Sequence, residues 1–199
     1  MLKTLRWYFM GLCMAFGTAH AALLQVDAGG ELTGATGVVV GGATYDVTFV
    51  EGTCISVFTG CNEPADFPFG TDGLTALHAA QALLDQVFID GPAGPFDTQP
   101  ARTFGCEGEG VCAALTPFGS VAHDSDAVAL NIFLESADTV LLQNDFTGDT
   151  AGDAEAVWAR WSPAVQAVPE PSAFACLGVG LLALAWARRR RTLPGCRTQ

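Results

Sequence analysis

Two apolar segments, one at each end of the 199 residues, decide how much of this chain is left to build a core. At the front, Lys3 and Arg6 precede the apolar run Trp7–Thr18, and Ala19-His20-Ala21 sets small residues on either side of one variable position. Positive charge, apolar run and small-x-small, in that order, are what an export channel and a signal peptidase read. The run is also too short for a comfortable membrane span. Residues 1–21 are therefore expected to be a signal peptide carried through Sec export, cleaved after Ala21 to leave Ala22 first. A lipoprotein reading through Cys13 fails, because Leu12 stands where a small residue is needed.

At the back, Val168-Pro169-Glu170-Pro171 is followed by an apolar stretch, Ser172–Ala187, and by Arg188, Arg189, Arg190 and Arg191. Its Leu, Ala and Gly content predicts a transmembrane helix, near the lower limit of about 17 residues for a span. Four arginines place its C-terminal end in the cytoplasm. That orientation agrees with the signal peptide, which puts the intervening domain outside. One reading makes this a permanent tail anchor, with Pro169 and Pro171 merely stopping the helix from growing backwards.

The ordered set of a Val-Pro-Glu-Pro box, a short apolar helix and an arginine cluster resembles the PEP-CTERM sorting signal of exported proteins of Gram-negative bacteria. The resemblance covers residues 168–191. It implies processing by an exosortase, an integral-membrane transpeptidase resembling cysteine proteases, which would recognise the box and remove the tail. It further implies an inner-membrane-anchored precursor whose domain reaches the cell surface or is secreted. An association with exopolysaccharide and biofilm matrix also comes with the family. The extension Thr192–Gln199, a short cytoplasmic tail, departs from the usual stop soon after the arginines.

Between Ala22 and Pro171 lie about 150 residues, enough for one ordinary core. This stretch holds all 21 acidic residues and only two basic ones, Arg102 and Arg160, a formal charge of −19. Such a surplus repels nucleic-acid phosphates and anionic headgroups. It favours solubility and attracts divalent cations. Spread along the chain and not run together, it describes a folded acidic domain, 22–167.

Sorted by compartment, the seven cysteines become simple. Cys13, Cys176 and Cys196 fall in the terminal segments, leaving Cys54, Cys61, Cys106 and Cys112 in an oxidising compartment, where two disulfides are expected. Of three connectivities, Cys54–Cys61 and Cys106–Cys112 close the shortest loops. The spacings are too wide for zinc, and no Cys-x-x-Cys redox motif is present.

Tyr45, Val47 and Phe49 alternate with Asp46, Thr48 and Val50, a half-buried strand. Weaker strand signals occur at Leu23–Ala28, in the Gly-rich stretch Gly34–Gly42, at Cys54–Phe58, Arg102–Gly105, Val111–Thr116 and Ala156–Trp161. Val128–Leu134 and Thr139–Gln143 read as a hairpin. Leu74, Leu77, Leu84 and Phe88 recur at helical spacing, widened by Ala76, Ala80, Leu83 and Val87, and Asp72 or Thr71 can cap the start. They predict a helix over about 73–89, a lid on one sheet face. The expectation is an α+β, β-rich domain: an antiparallel sheet or sandwich with one substantial helix. Its segments Tyr45–Cys54, Ala82–Phe88 and Trp158–Ala164 resemble an uncharacterised group of PEP-CTERM ectodomains, which brings no activity with it.

Nothing in the body composes a catalytic set, so no enzyme, cofactor or metal is predicted. His78 sits on the helix flank and His123 in a polar loop, with no Gly-x-Ser-x-Gly turn to supply a nucleophile. Numerous carboxylates leave a facing glycosidase pair unspecified. Asp124-Ser125-Asp126, and Asn144-Asp145 with Asp149 and Asp153, offer oxygen donors for calcium but lack the EF-hand pattern. Trp158 and Trp161, three apart on a strand, face opposite sides, so one is expected in the core and the other partly exposed. The function expected is a noncatalytic surface or matrix protein, with a carbohydrate- or calcium-binding module as the alternative and a secreted hydrolase behind it.

Overall fold

The computed structural model describes residues 21–119, 125–133, 137–144 and 148–165. Among the described residues, nine strands and two α-helices follow one another: β1 Leu23–Val26, β2 Leu32–Val40, β3 Ala43–Val50, α1 Cys54–Val57, α2 Gly73–Gln86, β4 Asp90–Gly91, β5 Gly94–Pro95, β6 Val111–Phe118, β7 Ser125–Ile132, β8 Thr139–Asn144 and β9 Ala156–Pro163. Seven strands form one sheet in the order β1-β2-β3-β9-β6-β7-β8, and β4 and β5 make a separate small hairpin.

The sheet is mixed, which corrects the antiparallel expectation. The hairpins β1-β2-β3 and β6-β7-β8 are antiparallel, but β9 inserts between them, antiparallel to β3 and parallel to β6. The strand that closes the domain in sequence is thus its centre in space. Buried on both faces, it reads as the near-continuous apolar run Ala156-Val157-Trp158-Ala159.

α2 lies across β2, β6, β7 and β8 on one face. Asp72 caps it, its carboxylate accepting from the Thr75 amide at 3.0 Å and the Thr75 hydroxyl at 2.6 Å. The buried stripe is Ala76, Ala79, Ala80, Ala82 and Leu83. Small side chains let the helix approach the sheet closely. Leu74, expected on that stripe, is 65 % exposed. The helix stops at Gln86, three residues before the expected end. Val87 and Phe88 both donate their amides to the Leu83 carbonyl, and the turn drives Phe88 into the core. There it stacks on Phe49, rings 5.5 Å apart and 9° from parallel. Aromatic burial outweighs one more helical turn.

Two other expectations change. The strand in the Gly-rich stretch is longer than its signal: β2 begins at Leu32, runs through Gly34 and Gly37 and ends at Val40 before a turn at Gly41-Gly42, with the register against β3 shifting between Ala35 and Val38. Gly34 has φ 154°, and a Cβ there would collide with the Val47 carbonyl oxygen. These glycines make a bulge in a strand. Cys54–Val57 is helical, not extended, because Thr53 caps it: its hydroxyl accepts from the Ser56 amide. Local capping overrides the β preference of Ile55 and Val57. Residues 102–105 likewise form no strand; Thr103 makes only an isolated bridge with Leu32.

The core has two parts, one on each side of the sheet. Val47, Phe49, Val157, Ala159 and Trp161 face the α2 side. Leu115, Val128, Ala156 and Trp158 face the other, under Val57 and Phe58. Both tryptophans are buried, Trp158 at 0 % and Trp161 at 5 % exposure, which corrects the expectation that one would be partly exposed. Opposite orientation holds; the second face is covered, because α1 and the segment after it fold over it. Among the described residues no helix is long and apolar enough to cross a membrane. The expected span, Ser172–Ala187, lies outside them, as does the signal peptide core.

Candidate functional site

The segment that follows β3 is pinned three times. Cys54 and Cys61 are joined, with Cα atoms 5.8 Å apart. The chain reverses at Gly60, φ 100°, and at Cys61, φ 52°. Asp66 then holds the next turn, one carboxylate oxygen accepting from the amides of Asn62 and Glu63, each at 3.1 Å. Finally Phe58 packs edge-on against Trp158, and Phe69 against Tyr45. A polar, Gly- and Pro-containing loop is thereby fixed to the sheet.

Between this loop and β9 lies a groove of about 270 Å³, lined by Phe58, Thr59, Asp66, Phe67, Pro68 and Arg160 among others. Phe58 and Phe67 are almost wholly buried and reach the groove only at their edges. Arg160 is exposed, between the buried Ala159 and Trp161. Strand alternation turns its side chain to the face opposite Trp161. Among the described residues its guanidinium has no ion pair or hydrogen bond. The other basic residue of the domain, Arg102, is engaged: its Nε donates to Gln99 Oε1 at 2.8 Å. Arg160 was visible in the sequence as one of two cations amid 21 acids; its place beside a loop a hundred residues away was not.

The second disulfide, Cys106–Cys112, is fully buried with Cα atoms 5.4 Å apart. It ties the segment before β6 to the α2-side core. Ala21 is exposed immediately before Ala22, which packs partly against that core. Ala19, Val168, Pro169, Glu170, Pro171 and the arginines 188–191 lie outside the described residues, as does His123.

Of the calcium candidates, Ser125 and Asn144 are partners across β7 and β8, the Ser125 hydroxyl donating to Asn144 Oδ1 at 3.3 Å. Asp126 is buried within β7. Asp149 accepts from the Ala151 amide and Asp153 from the Glu155 amide, both at 3.0 Å, so each caps backbone. Asp124 and Asp145 fall outside the described residues. Among the described residues no group of three His, Cys, Asp or Glu side chains is placed to hold a metal ion. His78 is exposed on α2; the Thr75 hydrogen bonds above all, and His78 least, hold the Asp72 carboxyl below its ordinary pKa.

Three carboxylates gather around the β4–β5 hairpin. Asp90 accepts from the amides of Asp97 and Thr98 and from the Thr98 hydroxyl, at 2.9–3.1 Å. The Thr98 hydrogen bonds hold its pKa below the ordinary value. Asp97 is pushed the other way, first by desolvation and then by the charges of Asp138 and Asp90. Asp138 itself accepts from the Ile132 amide at 2.9 Å. The trio serves loop geometry.

Comparison with protein-family models matches residues 167–191 to the PEP-CTERM protein-sorting motif. No curated protein and no solved structure matches the chain. The matched residues span the Pro-Glu-Pro box, the apolar stretch and the arginine cluster. The chain therefore carries a PEP-CTERM sorting motif behind a disulfide-closed β-sheet domain, and that motif marks an exported protein processed by an exosortase.

Proposed function

We propose that the folded domain is a noncatalytic component of the cell surface or extracellular matrix of a Gram-negative bacterium, delivered there by removal of its C-terminal tail. The observation that carries this reading is the sorting motif at residues 167–191. The body supports it: a formal charge of −18 over residues 22–167 keeps the domain soluble and off anionic membrane surfaces. Two short-range disulfides suit an oxidising compartment. The chain's working residues on this view are Val168, Pro169, Glu170 and Pro171, read by the exosortase, with Arg188–Arg191 holding the precursor's end in the cytoplasm.

Fractionation of host cells tests the reading. The domain is expected in the surface or extracellular fraction of wild-type cells, and in the inner membrane when Pro169-Glu170-Pro171 is replaced by three alanines. Finding it in the inner membrane in both strains would reject the proposal. Deleting the gene is expected to alter matrix or aggregation, and unchanged matrix would limit the role to display. A ligand-binding module is the second reading, and the groove at Arg160 is the observation that favours it.

A further inference from the structure

We propose that the groove between the Cys54–Cys61 loop and β9 binds a hydroxylated ring carboxylate of the uronic-acid class, with Arg160 taking the carboxylate. The inference goes beyond the sorting reading and does not depend on it. Three features of the groove define the ligand by its complement. The first is charge. In a domain, 22–167, with 20 acidic and two basic residues, a guanidinium without an ion pair among the described residues lines a cavity. Its planar fork matches a carboxylate bidentately.

The second feature is a hydrogen-bond acceptor. Asp66 lines the same cavity, and the two amides it accepts from engage one of its carboxylate oxygens. A carboxylate and the Thr59 hydroxyl in the wall call for hydroxyl donors on the ligand, and disfavour a second anionic group. A purely apolar acid would desolvate Asp66 without replacing its water. The third is a limited apolar lining, Pro68 with the edges of the buried Phe58 and Phe67, which suits the C–H groups of one small ring and not a large apolar body.

About 270 Å³ is near the lower end of small-molecule sites, the size of one sugar unit. The loop is already held by the disulfide and by Asp66, so binding orders little chain, which limits its entropic cost. The domain's overall negative field opposes the ligand, but beyond a Debye length of about 8 Å that field is screened at physiological salt. The outcome is a weak site, with Kd on the order of 1 mM.

Nuclear magnetic resonance titration of the full-length chain in detergent micelles, with D-glucuronate as probe and D-glucose and acetate as comparators, tests this directly. Glucuronate is expected to shift resonances of Thr59, Asp66 and Arg160, while glucose and acetate bind at least about tenfold more weakly, each lacking one of the paired interactions. Arg160→Gln is expected to weaken glucuronate about tenfold or more with the amide spectrum otherwise kept. Ala65→Leu, which narrows the groove and leaves the charge, is expected to weaken it as well, and decides the matter should Arg160→Gln disturb folding. Absence of glucuronate binding overturns the proposal. So does acetate binding equally well, or glucuronate binding that both variants leave unchanged. Because the uncut chain is used, failure here leaves the sorting reading untouched.

Discussion

The side-chain amide of Gln86 exchanges two hydrogen bonds with the main chain of Val39: Val39 N donates to Oε1 and Nε2 donates to the Val39 carbonyl, both at 2.9 Å. The last residue of α2 thus pairs with β2 as a strand residue would, fastening the end of the helix 47 residues from its partner. Gln86→Ala is expected to cost about 1–2 kcal/mol, one net contribution per bond. Gln86→Glu should cost at least as much, because a carboxylate cannot donate to the carbonyl and is repelled by it. Urea unfolding monitored by circular dichroism measures both; a Glu variant as stable as the parent would contradict this pairing.

Trp158 stands at the centre of the other face. Its ring meets Phe58 at 5.6 Å and 87°, and its Nε1 donates to the Gly52 carbonyl at 2.8 Å. That carbonyl also receives the Thr150 amide and hydroxyl, each at 3.2 Å. Trp158→Phe, which keeps most of the volume and loses the donor, is expected to cost about 1–2 kcal/mol. Trp158→Ala leaves a cavity under α1 and should cost about 3–5 kcal/mol. Equal losses from the two in a thermal melt would mean that packing is not what Trp158 supplies.

The two disulfides differ in shelter. Cys106 and Cys112 are fully buried, whereas Cys54 and Cys61 are partly exposed. Mild reductant is expected to open Cys54–Cys61 first, as followed by alkylation and peptide mapping. By loop-closure entropy, a ring this short contributes about 2–3 kcal/mol through the unfolded chain. Simultaneous reduction of both bonds in the native protein would show that the second is not shielded.

How much of this could be read from residues alone depended on range. Tyr45, Val47 and Phe49 were legible as a strand because alternation is local, and Asp72 as a cap because its partner is three residues away. The short-loop disulfides follow the same rule. Lost were features set by distant partners. Nothing near Phe88 says that Phe49 will stop the helix, and nothing near Trp158 says that Phe58 will cover it. The placing of β9 between β3 and β6 joins segments over a hundred residues apart. The groove at Arg160 has no local signal for that reason, whereas the sorting box is a linear one.

Acid dependence should have two components of opposite sign around the β4–β5 hairpin. Asp90 has its pKa lowered by the Thr98 hydrogen bonds, so its contribution is full above the ordinary value of 3.8 and is lost as pH falls through the lower folded value. Asp97, raised by desolvation and by Asp138 and Asp90, contributes fully below 3.8, and that contribution is lost as pH rises through its raised folded value. Asp97→Asn is therefore expected to raise the melting temperature at pH 7, with the gain fading toward pH 3. Asp90→Asn should lower it at pH 7, with the loss fading in acid below the folded value. Thermal melts across pH read both, and a gain from Asp97→Asn that is constant with pH would refute the electrostatic cause.

On the proposed function, both ends are handles removed in passage and the acidic domain is the product. Intact-mass measurement of the protein from its host, with and without a functional exosortase, tests it most directly. The mature chain is expected to begin at Ala22, to lack the arginine cluster, and to be lighter by the four hydrogens of two disulfides. In the exosortase-deficient strain the tail should be retained. A wild-type product that still carries Arg188–Arg191, or identical masses in the two strains, would contradict it.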